Sequence, residues 1–148
     1  MKFDALALQR VGHWCLERHI PFMPQAMKAF CLFLFGAVVS PETSFGPGVV
    51  LGYRGLGLVV HTRAQIGANV VIGPGVTIGG RSRLTDVPVI EDDCYIGAGA
   101  RILGPIRLGR GSVVGASAVV LSDVPPRSVV VGVPARVIRE NIDLRDYV

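Results

Sequence analysis

Apolar residues return at every sixth position through the middle of this 148-residue chain. The positions are Val39, Phe45, Leu51, Val60, Ile66, Ile72, Ile78, Ile90, Ile96, Ile102, Leu108, Val114 and Val120. An amphipathic helix repeats after about 3.6 residues and a half-buried strand after about two, so neither explains this spacing. The six-residue period predicts short strands that coil into a three-sided, all-β parallel β-helix of about four coils, with the apolar residues inside.

Glycine follows the apolar residue in most of these repeats, as at Gly46, Gly67 and Gly97. We expect glycine there because it has no Cβ to obstruct the corner of a coil. It also adopts backbone angles that strain other residues. The glycines therefore predict tight corners between successive short strands.

The six-residue period is interrupted at two places. Three extra residues stand between Leu51 and Val60, and between Ile78 and Ile90 one repeat is replaced by the irregular segment GGRSRLTDVPV. Insertions in coiled repeats lie on one face, which is often the binding face. The second interruption therefore predicts a protruding functional loop over residues 80–89.

The limits of the repeat divide the chain into an N-terminal helical segment 1–38, a β-helix 39–138 and a C-terminal tail 139–148. Two helices are expected in the first part, one ending near His19 and the other covering Gln25–Phe35. The apolar end of the second helix is too short to span a bilayer, which takes about 20 residues. We expect it to pack on the β-helix or on a neighbouring copy, or alternatively to make peripheral contact with the inner face of a membrane.

Composition narrows the expected environment and partners. Hydrophobic residues make up 50% of the chain and the mean hydropathy is +0.50, which favours an oligomer that buries apolar walls. The three cysteines lack metal-site spacing and the start of the chain lacks a secretory signal. We therefore expect reduced thiols, a cytoplasmic location and no metal. The net charge of +4 suits a phosphate-bearing partner, whereas the scarcity of aromatic residues among the arginines argues against nucleic acid.

Three segments closely resemble the serine acetyltransferase branch of the hexapeptide acyltransferases. They are GVTIGG at 75–80, IGAGARILG at 96–104 and VPPRSVVVGVPARVI at 124–138. The resemblance implies a left-handed β-helix, an exception to the right-handed rule for parallel crossovers. It also implies a homotrimer, acetyl-CoA as the donor and an active site between adjacent subunits.

The acceptor motifs of that family are altered in this chain. Gly52 and Tyr53 stand where serine acetyltransferases carry an Asp-His pair, and Val87 replaces the His before the Pro of the loop. The stretch GLGLVVHTRAQIG instead resembles serine acetyltransferase-like enzymes of surface-polysaccharide synthesis. We therefore expect an O-acetyltransferase whose acceptor is a sugar hydroxyl, free or lipid-linked. Serine O-acetylation is the first alternative, and a non-catalytic β-helix that serves as an assembly subunit is the second.

Transfer of an acetyl group to a hydroxyl needs a base, and histidine is the side chain best matched to that task. His61 is the only His after His19, and it stands where the repeat usually has glycine, so we expect it to be the catalytic base. Asp86 and Glu42 are candidates for a carboxylate that orients the ring. Alternatively, Tyr53 faces the acceptor as a hydrogen-bond donor.

The donor site is expected along the C-terminal coils, because small residues there would let the amide chain of pantetheine approach the backbone. The backbone N–H of Gly79 or Gly80 is a candidate for stabilising the tetrahedral intermediate. In the loop GVPAR, which resembles the family's cap over the nucleotide, Arg136 is a candidate for a phosphate contact; Arg127 and Arg110 are weaker ones. The predicted cofactor-binding residues are Gly79, Gly80, Ala98, Gly99, Ala116, Ser117, Pro134 and Arg136.

Overall fold

A computed structural model of the protein describes residues 3–147. The first two elements of the chain are helices. Helix α1 covers Ala5–Glu17, and the carboxylate of Asp4 caps it by accepting a first-turn backbone N–H at 2.8 Å. Helix α2 covers Met23–Phe35 and ends at Gly36, which adopts the left-handed conformation common after a helix. Both predicted helices are confirmed, but the predicted start of the second is wrong by two residues. Pro24 lies inside its first turn, where a missing N–H removes no hydrogen bond.

The remainder of the described chain is built from very short strands. Their bounds are β1 Val38–Val39, β2 Ser44–Phe45, β3 Val50–Leu51, β4 Val59–Val60, β5 Gln65–Ile66, β6 Val71–Ile72, β7 Thr77–Gly79, β8 Val89–Ile90, β9 Tyr95–Ile96, β10 Arg101–Leu103, β11 Arg107–Leu108, β12 Val113–Val114, β13 Val119–Val120, β14 Val129–Gly132 and β15 Ala135–Arg139.

Successive strands belong to three different sheets, so every three strands complete one coil. Sheet A has the order β1-β4-β7-β10-β13, sheet B the order β2-β5-β8-β11, and sheet C the order β3-β6-β9-β12-β14-β15. All pairings are parallel except that of β14 with β15. The predicted parallel β-helix is confirmed. We call its three corners edge AB, edge BC and edge CA, after the sheets that each corner joins in chain order.

The predicted apolar positions form the core. In sheet A, Ile78 pairs in register with Val60 on one side and Ile102 on the other, and all three are buried. Burying one such side chain stabilises the fold by about 1.5–3 kcal/mol. Every other predicted position is buried as well, except Phe45, which is only partly covered.

Glycine stands at the corners because successive coils approach each other closely. A Cβ added to Gly67 would lie 2.7 Å from the backbone N of Asp92, and one added to Gly97 would lie 2.6 Å from the N of Ala116. Neither glycine has a positive φ, so the explanation from strained backbone angles is wrong at these positions. Positive φ occurs two residues later instead, as at Gly99 with φ of 71°.

The loop between β7 and β8 is an insertion and not a lost repeat. Ile78 remains in sheet A, and Ile90 pairs with Ile66 in sheet B, so the coil keeps all three strands. The interpretation that one repeat is replaced is therefore wrong: extra residues leave the prism at edge AB. The first interruption forms a 3-10 turn over Gly52–Gly55 at edge CA.

Both ends of the prism are covered by other parts of the chain. At the first coil, Nε2 of the buried Gln9 in α1 donates to the carbonyl oxygen of Thr43 at 2.9 Å. At the last coil, β15 turns back on β14, and the tail then packs Ile142 against Val113 and Val129 on the outer face of sheet C. No helix within residues 3–147 is long and apolar enough to cross a membrane.

Candidate active site

Edge CA carries a column of small residues along its later coils. Leu51, Ile72, Ile96 and Val114 are stacked in register, so the residues that follow them are stacked too. The second residue after each is Tyr53, Pro74, Ala98 and Ala116 in turn. Coils repeat at about 4.8 Å, so Tyr53 lies on the same edge as the two alanines, roughly 10–15 Å closer to the N-terminal end.

The two alanines offer backbone donors to a ligand. Neither the Ala98 N–H nor the Ala116 N–H has a hydrogen-bond partner among residues 3–147, although the Ser117 N–H donates to the Ala98 carbonyl at 2.8 Å. Both alanines are exposed. Gly99 and Ser117 shape the same corner, both with positive φ. The structure therefore brings together the four residues predicted to line the pantetheine chain.

A groove of about 600 Å³ runs beside these alanines on the outer face of sheet C. Its other wall comes from Tyr95, Arg139 and Tyr147, and an Arg139 Nη1 donates to the Tyr147 hydroxyl at 3.3 Å. None of these three residues was predicted from the sequence as part of the donor site. Tyr95 could have been found, because it precedes the inward Ile96 and must face outward. Tyr147 could not, because only the folded tail brings it to sheet C.

The three arginines proposed for phosphate differ in their availability. Arg110 forms an ion pair with Asp92 at 2.7 Å, and the Nε of Arg127 donates to the carbonyl of Ile142 at 3.2 Å. Arg136 lies in β15 beyond Pro134 and donates only to the carbonyl of the preceding residue. Of the three, Arg136 therefore keeps the most capacity to bind an anion.

His61 lies on edge AB, half-buried, between Ser40 of the first coil and Gly79 of the third. At this edge the equivalent residues are Ser40, Gly79 and Leu103, so glycine stands there in the following coil and larger residues in the others. The ring nitrogen Nδ1 accepts a hydrogen bond from the backbone N–H of Arg63 at 3.1 Å.

This hydrogen bond selects a tautomer of the neutral ring. A backbone N–H can only donate, so Nδ1 of His61 must carry the lone pair and Nε2 the proton. The ring then presents an N–H to the outside at Nε2. A base acting through Nε2 needs the opposite tautomer, in which Nδ1 carries the proton and releases Arg63.

Neither candidate carboxylate orients the ring in the described part of the chain. Glu42 accepts a hydrogen bond from the Ser40 hydroxyl, which lowers the pKa of the Glu42 carboxyl below its ordinary value. Asp86 is exposed on the loop, where it lines a groove of about 530 Å³ together with Arg63 and Arg107. The prediction that one of them holds His61 is therefore not supported by a contact.

The loop residues predicted to stabilise the intermediate lie one coil above His61. Gly79 ends β7 and accepts the Gly104 N–H at 3.0 Å through its carbonyl. Gly80 is exposed, and a Cβ added there would meet nothing within 4 Å. Its backbone is thus open to a ligand, as an oxyanion site requires.

Tyr53 and His61 do not face each other within one chain. Tyr53 is 81% exposed, with a φ of 48°, and projects from edge CA beside the alanine column. His61 projects from edge AB, so sheet A separates the two side chains. One copy therefore has Tyr53 on the same edge as Ala98 and Ala116, and His61 on the same edge as Gly79 and Gly80, but it does not bring Tyr53 and His61 together.

Comparisons with known proteins agree with this geometry. Residues 88–122 match the family described as "Bacterial transferase hexapeptide (six repeats)". The serine acetyltransferase of Synechococcus elongatus is 36% identical over 138 residues, which are 92% of this chain and 56% of that protein. The serine acetyltransferase of Mycobacterium tuberculosis is 38% identical over 134 residues, 89% of this chain and 58% of that protein. The chain thus carries hexapeptide repeats, and over about nine tenths of its own length it is similar to the serine acetyltransferase-like branch of the hexapeptide-repeat acyltransferases.

Solved structures give the same result for the fold. Serine acetyltransferase from Brucella abortus in complex with coenzyme A superposes with a TM-score of 0.86 at 36% identity, over 92% of this chain and 55% of that one. Soybean serine acetyltransferase complexed with serine gives 0.83 at 38% identity, over 90% and 56%. The left-handed β-helix of the hexapeptide-repeat acyltransferases is thereby confirmed. The chain spans about half to two thirds of the length of these relatives.

No cluster of three or more His, Cys, Asp or Glu side chains that could hold a metal occurs within residues 3–147 of this hexapeptide-repeat protein. Cys15, Cys31 and Cys94 are all buried and unpaired with one another, as the predicted reduced thiols require. Burial raises the pKa of the Cys31 thiol to about 11, which makes it a poor nucleophile at neutral pH.

Proposed function

We propose that this chain is an acetyl-CoA-dependent O-acetyltransferase. The observation that carries the proposal is the column on edge CA, where the exposed residues Ala98 and Ala116 line a groove and have N–H groups without a hydrogen-bond partner among residues 3–147. The carbonyl groups of pantetheine are acceptors that fit such donors. The complex of the Brucella abortus relative with coenzyme A supports the same assignment.

Along this edge, the donor would run from the last coils towards the first. Arg136 and Arg139 lie at the C-terminal end, where guanidinium groups suit the phosphates of the nucleotide. The thioester end then points towards Tyr53. The phenol of Tyr53, on the same edge as Ala98 and Ala116, is the candidate hydrogen-bond donor to the acceptor.

We propose serine as the acceptor. The matching relatives named above are serine acetyltransferases, and one of them is solved with serine bound. The sugar hydroxyl that the sequence analysis put first has no support among these comparisons, so the alternative becomes the leading assignment. Tyr53 and Val87 replace two histidines of the family motif. These two differences are the features of this chain that argue against serine.

We propose further that the site is completed between copies of the chain. Tyr53 with the alanine column occupies edge CA, whereas His61 with Gly80 occupies edge AB. A cyclic trimer brings edge CA of one copy against edge AB of the next, as the family resemblance implies. Such an assembly also covers part of the apolar surface of the prism.

In the reaction, the acceptor oxygen attacks the carbonyl carbon of the thioester, the C–S bond breaks, and the hydroxyl proton ends on the CoA thiol. His61 is the candidate to carry that proton, accepting it from the hydroxyl and passing it to sulfur. As base it must first exchange the Arg63 hydrogen bond for a proton on Nδ1. The exposed N–H of Gly80 is the candidate donor to the oxyanion.

The decisive experiment measures CoA release from acetyl-CoA with serine, with a panel of sugars, and with no acceptor. Turnover above the acceptor-free rate with serine supports the full proposal. Turnover with sugars alone keeps the O-acetyltransferase but overturns serine. CoA at concentrations well above 100 μM should raise the melting temperature of the protein. If it does not, the proposal of an enzyme is overturned and the assembly-subunit alternative is favoured.

A further inference from the structure

The outward side of α2 carries an apolar stripe that none of residues 3–147 covers. Phe33 is 86% exposed, Phe22 before the helix is 84% exposed, and Phe30 is 51% exposed. Residues three and four apart share one side of a helix, so these side chains form one continuous surface. We name this surface the α2 stripe; it consists of Phe22, Met23, Ala26, Ala29, Phe30, Phe33 and Leu34.

The opposite side of α2 already supplies the contacts that hold the helix in place. Cys31 and Phe35 are buried, the Cys31 thiol donates to the carbonyl of Ala5 in α1 at 3.4 Å, and the helix packs beside β1. The stripe is therefore not needed to fix α2 on the prism.

We propose that the α2 stripe docks this protein on the surface of a bilayer that contains anionic lipid. The stripe holds no charged or hydrogen-bonding side chain. A protein partner would ordinarily meet polar as well as apolar groups across such an area, whereas the acyl boundary of a bilayer needs none. The helix is too short to span, so it must lie in the plane of the interface.

Exposed charges on the two helices select the kind of surface. Arg10, Arg18 and Lys28 are exposed on the two helices, against Asp4 and Glu17, and the whole chain carries a net charge of +4. Cations beside an apolar helical face are attracted to anionic headgroups within a Debye length.

An aromatic and a cationic group at the end of α1 are placed together. The guanidinium of Arg18 lies over the half-exposed ring of Trp14, 4.1 Å from its centroid. Tryptophan and arginine are both suited to the boundary between headgroups and acyl chains. The helical part of the protein therefore presents a second feature suited to that boundary.

Docking through α2 leaves the donor groove free. The helices cover the first coil, where Gln9 and Thr43 are in contact, whereas the donor groove is built from later coils and the tail. In a cyclic trimer all three stripes would lie at the same end of the assembly, because the symmetry axis relates the copies by rotation alone. The three stripes, each binding weakly, would then contact the same membrane surface at once, which strengthens the binding of the whole assembly.

The test is sedimentation of the full chain with vesicles of phosphatidylcholine containing increasing phosphatidylglycerol, at 0.15 M and 0.5 M salt. The variant Phe30→Glu/Phe33→Glu places two carboxylates on the stripe. The control Gln25→Glu/Val50→Glu adds the same charge at exposed positions outside it, one of them on α2 itself. None of the four side chains belongs to the buried core, and the melting temperature of each variant verifies folding.

We expect the unaltered chain to bind anionic vesicles about tenfold or more tightly than the stripe variant, and the control to stay within about twofold of it. Raising the salt should weaken binding without abolishing it, because the apolar part is not screened. Absence of sedimentation, or equal sedimentation of both variants, would overturn the proposal. A stripe variant that halves the mass of the assembly in light scattering, with no vesicle binding by the parent, would assign the stripe to a second copy instead.

Discussion

The role of His61 gives the sharpest prediction, because one hydrogen bond opposes the predicted chemistry. The Arg63 N–H donates to Nδ1 at 3.1 Å, and such a bond is worth about 1 kcal/mol net. Moving the ring proton from Nε2 to Nδ1 breaks that bond. The tautomer that can act as a base through Nε2 is therefore about fivefold less populated than the tautomer that keeps the bond. A positioned base contributes roughly 10²–10⁴-fold, and without an orienting carboxylate we expect His61 to fall near the lower limit.

We therefore expect His61→Ala to lower kcat/KM by about 10²-fold, and His61→Gln to lower it equally. Glutamine keeps an N–H donor at the end of its side chain but has no basic nitrogen, so it separates the two roles. His19→Gln, a change at an exposed histidine in the connection between the helices, is the matched control and should leave the rate unchanged.

The assay is CoA release under saturating acetyl-CoA, followed from pH 5 to pH 9 for each variant. If His61 is the base, both variants lose most of the activity at every pH in this range. If His61→Gln retains most of the activity while His61→Ala does not, His61 is excluded as the base. The ring would then act as the Nε2–H donor that its present tautomer offers.

Other consequences of the structure concern the prism itself. Gly46→Ala should lower stability by about 1–3 kcal/mol in thermal unfolding, because its Cβ would lie 2.5 Å from the next coil; Gly80→Ala, with open space around it, should leave the melting temperature within 1–2 °C, roughly, of the parent. Alkylation of Cys31 at pH 8 should run about 100-fold slower than that of a thiol with the ordinary pKa of 9.0, since its pKa is about 11; rapid modification in intact mass spectra would contradict the burial. The Arg107 guanidinium, 2.9 Å from Glu91, lowers the pKa of that carboxyl, so this pair stabilises the fold above the ordinary carboxyl range and the effect is lost as pH falls through the lowered pKa. Glu91→Gln should thus reduce the melting temperature at pH 7 but not at pH 3, at a cost of about 0.5 kcal/mol, and an equal loss at both values would refute the ion pair.

Much of the donor side could be predicted from sequence because it depends on local spacing. Ala98 and Ala116 follow their inward aliphatic residues by two positions, so the repeat alone puts them on one edge. The opposite is true of the base. His61 stands at the right place in the repeat to project from a corner, but its Nδ1 partner is a backbone N–H two residues away, which no pattern of residue types specifies.

The six-residue period by itself determined the three-sided column, its inward residues and the loop that leaves it. A repeat fixes these because each coil makes the same contacts with the next, and every contact therefore recurs at the same spacing. The three-dimensional structure alone decided what meets across long separations. It set Tyr147 of the tail beside Tyr95, and it put Tyr53 and His61 on different edges. These relations depend on where a turn, an insertion and a folded tail direct the chain, and the period carries no information about any of them.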